Sequence, residues 1–257
     1  MEEKRLSFTE HLEELRARLI KSAIALGIGF VICYIYSKQL FNILLMPLTR
    51  VLPKGSSMVF ISLTEPFFTY LKVAFLAGLF LSSPFIFYQL WKFVSPGLYT
   101  KEKKYVIPFV LLSTIFFVGG ACFGYFVVFP YGFKFFLGLA TKNIRPFPSI
   151  RDYLSFSSKL LIAFGLIFEI PLITFFLAKI GLITSTFLSS KRRYAILVMF
   201  VLAAIFTPPD IVTQLMMALP LMLLFEASVI VAKIFGRKPE EEKKEEKDKG
   251  KKKKKEK

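Results

Sequence analysis

Three glutamates in this 257-residue sequence stand where a carboxylate could do chemistry. Glu14 lies in HLEELRARL. Glu102 is the sole acid among Lys101, Lys103 and Lys104. Glu169 interrupts LIAFGLIFEIPLITFFLAK, in which the next charge is Lys179. A carboxylate out of bulk water can hold a guanidinium through paired, charge-assisted bonds, or it can carry a proton. Each glutamate also has a simpler reading. Glu14 stands four residues before Arg18, a helical ion pair contributing a few tenths of a kcal/mol. Glu102 fits a solvated partner of its neighbouring lysines. Glu169 fits a neutral acid hydrogen-bonded to a neighbouring helix. Glu226 lies about six residues from the end of the last apolar run and is a weaker candidate.

Enzyme chemistry lacks its parts. His11 is the only histidine, which excludes a Ser-His triad, a His-rich metal site and an intramembrane zinc protease. No phosphate loop or dinucleotide fingerprint is present, and Cys33 and Cys122 read as small hydrophobes within apolar runs. No catalytic residue, metal or cofactor is expected.

The elements that hold these acids are membrane helices. Apolar residues make up 54% of the chain and fall into long runs at 19–36, 67–91, 106–129, 153–178 and 211–232. Each is long enough, or nearly so, to cross about 30 Å of hydrocarbon. A sixth run, 194–207, would rise only about 21 Å. The expected fold is an all-α polytopic membrane protein of six transmembrane helices with a short fifth/sixth hairpin. Residues 1–235 form its membrane domain, and the Lys/Glu-rich segment 236–257 a disordered cytoplasmic tail. The start does not read as a cleavable signal peptide, since five acids lie within residues 1–18. Lys and Arg outside the spans number 13 on the N-terminal side and 7 on the other, before 13 more from Lys233 onward. That asymmetry predicts both termini inside.

Local signals refine the frame. Ser7 and Glu10 have capping-box spacing, so an interfacial helix is expected over about 7–18. Phe8, Leu12, Leu15 and Leu19 fall within about 60° of one another, opposite Glu10 and Glu14. Segment 37–66, with Pro47, Pro53 and Gly55, predicts short helices or loops. Gly120 and Gly124 have helix-packing spacing. In TPPD, 207–210, Asp210 is placed to cap the last helix. Ser155, Ser158, Gly165 and Glu169 fall within roughly 80° on one helix, a small and polar stripe suited to a cavity or a helix contact. Pro171 removes the donor for the Ile167 carbonyl, predicting a kink beside Glu169.

Six stretches resemble one family in order along the chain: HLEELRARL (11–19), SPFIFYQLWKFVSPGLY (83–99) with Glu102 after it, YFVVFP (125–130), YLSF (153–156), AFGLIFEIP (163–171) and TPPD. They look like TatC, the six-span receptor subunit of the twin-arginine protein translocase. The resemblance implies a non-enzymatic receptor in the cytoplasmic (inner) membrane. Such a receptor binds twin-arginine signal peptides of folded cargo, self-associates, works with single-span TatA and TatB subunits, and uses the proton gradient. It implies that Glu14 and Glu102 contact the signal arginines. It marks Leu15, Arg16, Pro47, Phe93, Glu169 and Asp210 as functionally sensitive. Relatives often carry an acid where Ser149 stands, with Asp152 nearby. The rival reading is a proton-coupled small-solute transporter using Glu169; the inverted repeats that would favour it are not visible.

Overall fold

The structure is a computed structural model that describes residues 8–53, 58–94, 106–139, 147–207 and 210–236. Ser7, Pro96, Gly97, Glu102, the two prolines of TPPD and the tail beyond Gly236 lie outside the described residues. Helices run α1 Phe8–Ile35, α2 Ser37–Thr49, α3 Glu65–Val94, α4 Val106–Phe123, α5 Phe129–Gly138, α6 Ile150–Phe168, α7 Ile170–Lys179, α8 Ser185–Ser190, α9 Arg192–Phe206 and α10 Ile211–Phe235. A π-helical segment, Gly124–Val128, joins α4 to α5. Among the described residues, five stretches are long and apolar enough to cross a membrane: α1, α3, α4 through α5, α6 through α7, and α10. The sixth crossing segment, α9, has 15 residues. α10 has 25, so the shortness expected of this hairpin is confined to α9. Lipid supplies no hydrogen bonds, so each crossing must be helical.

The chain divides into two compact units, Met1–Leu166 and Ile167–Lys257. In the first, α1 and α3 form an antiparallel pair. His11 meets Phe93, Arg18 meets Gln89, and Gly29 meets Gly78, so the contacts advance along α1 as they retreat along α3. The backbones nearly touch at the two glycines. A Cβ on Gly29 would lie 2.9 Å from the Gly78 carbonyl oxygen, and one on Gly78 would lie 2.7 Å from the Phe30 nitrogen. Small residues permit this approach, and close packing replaces the hydrophobic effect that lipid removes. The outward face of α1 carries exposed Leu19, Ile24, Ile28 and Val31, as a lipid-facing helix requires. The amphipathic start and the first span are one helix of 28 residues.

Prolines inside helices leave carbonyls without donors, and neighbouring hydroxyls take over. Pro84 deprives the Phe80 carbonyl, to which Ser83 Oγ donates at 2.8 Å. Pro47 deprives the Ile43 carbonyl, to which the Tyr125 hydroxyl donates; the Tyr153 hydroxyl donates to the next carbonyl, Leu44. Tyr125 lies in the π-helical segment, where the wider turn redirects side chains. Trp91 Nε1 donates to Ser113 Oγ at 2.9 Å, tying α3 to α4.

In the second unit α10 packs on α7 and α9. Phe175 meets Phe235 edge-on with ring centroids 5.0 Å apart. Arg192 donates to Glu226 at 2.9 Å, which gives Glu226 a partner on α9.

Candidate functional site

Phe93 meets α1 at His11, about one helical turn before Glu14, on the α1–α3 seam. The His11 ring stacks on Phe93 with centroids 4.4 Å apart, and Glu14 follows His11 by one helical turn. Arg18 Nε donates to Glu14 Oε1 at 3.1 Å, its Nη2 contacts the same oxygen, and its Nη1 reaches Gln89 Oε1 at 3.4 Å. The pairing expected from spacing is therefore present, and it is anchored to a second helix. The Glu14 side chain keeps 24% of its exposure and Arg18 14%. A partly screened carboxylate beside an aromatic stack can accept a further guanidinium. Leu15 is half-buried and Arg16 exposed on the same stretch of α1.

Glu169 is buried and occupies the break between α6 and α7. Pro171 follows at the start of α7, so the predicted kink appears as an interruption of the helix. The stripe leading to it does not face one space. Ser155 and Ser158 line a recess beside α3, whereas a Cβ on Gly165 would lie 2.7 Å from the Phe117 ring. Gly165 therefore serves a helix contact. Helical spacing gives direction around the axis but not which neighbour occupies it.

Asp210 caps α10: its Oδ1 accepts from the Thr213 N–H at 2.7 Å, and its Oδ2 from the Thr213 hydroxyl. Pro47 is buried within α2.

Glu65 escaped the sequence reading. Its Oε2 accepts the N–H groups of Ile61 at 2.6 Å and Ser62 at 3.2 Å. Its Oε1 accepts the Arg151 N–H at 2.9 Å and the Ser149 hydroxyl at 3.4 Å. A short parallel bridge, Val59 with Ser149, completes the join between the segments before α3 and α6. Ser149 is a donor to the acid of α3. Ser62 and Glu65 have S-x-x-E spacing, and the Oε2 bond to the Ser62 N–H is the back-reach of a capping-box glutamate, made here one turn ahead of α3. That local signal was available; the reach to Arg151 was not.

Residues 10–220 match the family described as Sec-independent protein translocase protein (TatC). The chain belongs to the TatC family. A TatC of Desulforapulum autotrophicum is 54% identical over 239 residues, covering 93% of this chain and 88% of that protein. A TatC of Aquifex aeolicus is 43% identical over 235 residues, covering 91% and 97%. A crystal structure titled a twin-arginine translocase receptor, TatC, matches with a TM-score of 0.81 at 43% identity, covering 89% of this chain and 100% of that one. The all-α, six-span architecture is that of the family. The chain is a multi-pass membrane component of a Sec-independent protein translocase, and the family is a transport receptor family without enzymatic chemistry.

Proposed function

We propose that this TatC-family chain is the core receptor of a twin-arginine translocase. It binds the paired arginines of signal peptides on folded cargo with Glu14 and Glu102, beside Leu15, Arg16 and Phe93. The observation that carries the reading is the half-open Glu14 carboxylate on the His11–Phe93 seam. Arginine offers two parallel donors to a carboxylate, whereas lysine offers a point charge. Glu169 contributes to the membrane-buried cavity that receives the apolar part of the signal. Pro47 and Asp210 hold the segments at the opposite, periplasmic side. The six spans of 1–235 act as one domain in the cytoplasmic membrane, with both termini and the charged tail in the cytoplasm, as the Lys/Arg asymmetry supports. The receptor self-associates and assembles with single-span TatA and TatB subunits for transport driven by the proton gradient.

Photocrosslinking from positions 14, 93 and 102 to a twin-arginine signal peptide and its twin-lysine variant tests this reading. Arginine-dependent crosslinks are expected. Their absence at both acid positions would sink the receptor assignment. For Glu169, the Glu169→Gln variant is expected to assemble and dock signal peptides while losing transport; normal export by that variant would remove the need for an ionisable group.

A further inference from the structure

Lys72 and Lys159 lie inside crossing segments and play no part in the reading above. Lys72 is seven residues into α3, and Lys159 is nine residues into α6. The starts of the two helices are joined by the bond from the Arg151 N–H to Glu65, so at about 1.5 Å per residue the two cations sit roughly 10 and 14 Å below one face. A lysine in hydrocarbon is costly, and the cost is relieved when the long side chain reaches an anion or the headgroup layer. Both lysines are exposed, and neither forms an ion pair among the described residues.

The two side chains border one recess of about 420 Å³, walled by Phe30, Phe75, Leu76 and Ile162 and carrying the Ser155 and Ser158 hydroxyls. Lys72 and Ser155 also border a second cavity of about 690 Å³ toward the helix starts, which holds Glu65, Arg151 and Asp152. The two spaces therefore meet at Lys72 and Ser155. Glu65 is engaged by three backbone N–H groups and the Ser149 hydroxyl. Across the two spaces three cations, Lys72, Lys159 and Arg151, outnumber two carboxylates, Glu65 and Asp152, and the recess that holds both lysines has no acid in its wall.

The geometry points to a binding site for an anionic phospholipid. The phosphate sits at Lys72 and Lys159 with the Ser155 hydroxyl, and an acyl chain lies along Phe30, Phe75, Leu76 and Ile162. A soluble anion would leave the apolar wall uncovered. A zwitterionic headgroup would bring its own cation against the three already present. The lipid comes from the leaflet that meets the starts of α3 and α6, where the headgroup phosphate is within reach of a snorkelling lysine.

The test is native mass spectrometry of the full chain released from bilayers of equal phosphatidylglycerol and phosphatidylcholine. Retention of phosphatidylglycerol in preference to phosphatidylcholine is expected. The double variant Lys72→Gln/Lys159→Gln should retain at least about fivefold less. The arginine pair Lys72→Arg/Lys159→Arg should preserve retention, and added inorganic phosphate should not displace the lipid. Lys38→Gln/Lys134→Gln removes two exposed cations outside the recess and should change nothing. Equal retention by the glutamine pair overturns the site, as does an equal loss in the Lys38/Lys134 pair. Indifference between the two lipids or displacement by phosphate also overturns it. Loss in the arginine pair would show that altered packing, and not charge, governs retention, and would overturn it too.

Discussion

Arg18 holds the carboxylate oxygen Oε1 of Glu14 with two of its nitrogens while its third reaches Gln89 on the facing helix. The group proposed to receive a signal arginine is thus already in contact with an arginine of its own chain. An incoming guanidinium must share the carboxylate with Arg18 or displace it. Arg18→Gln should therefore strengthen binding of a twin-arginine peptide by about three- to tenfold, corresponding to roughly 1 kcal/mol of released competition. Titration of a labelled peptide against the reconstituted protein measures this. Weaker binding would mean that Arg18 positions Glu14 instead of competing for it.

Pro47 and Tyr125 are coupled through the Ile43 carbonyl. Removing the Tyr125 hydroxyl leaves that carbonyl without its donor, and Tyr125→Phe should cost about 1–2 kcal/mol. Pro47→Ala restores an N–H four residues on. In that background the Tyr125→Phe cost should shrink by at least half. A double-mutant cycle on thermal unfolding reads the coupling, and additive effects would refute it.

Glu65→Ala removes the acceptor of three backbone donors and should release both segments it joins. Amide exchange at Ile61, Ser62 and Arg151 should rise by one to two orders of magnitude, matching about 1–3 kcal/mol. Glu65→Gln keeps one acceptor oxygen and should fall between. Unchanged exchange at Arg151 would show that the bridge through Val59 holds the join alone.

Gly78→Ala places a methyl 2.7 Å from the Phe30 backbone nitrogen, with no flexible side chain to yield. α1 must move away from α3, at a cost of about 1–3 kcal/mol. The expected readouts are a lowered Tm and weaker signal-peptide binding, because the His11–Phe93 stack beside Glu14 depends on the same seam. Gly27→Ala meets nothing within 4 Å and should be tolerated, which makes it the control.

Asp210→Ala should raise amide exchange at Thr213 and cost about 1 kcal/mol, the usual loss for a helix N-cap. Asp210→Asn retains the acceptor and should lose much less. Equal losses would assign Asp210 a role that depends on its charge.

Sequence alone determined the class, because an unbroken apolar run of span length has few other stable states than a helix in lipid. It also placed the Asp210 cap and the break beside Pro171, both of which follow from bonds within a few residues along the chain. The Glu14–Arg18 pair was legible for the same reason. Tertiary structure decided which helix each face meets. Ser155 and Gly165 share a stripe, yet one borders a recess and the other receives the Phe117 ring. Gln89 to Arg18, Tyr125 to Ile43 and Glu65 to Arg151 join residues dozens of positions apart. Periodicity specifies a direction around one axis, but the partner found there depends on how the helices pack against one another.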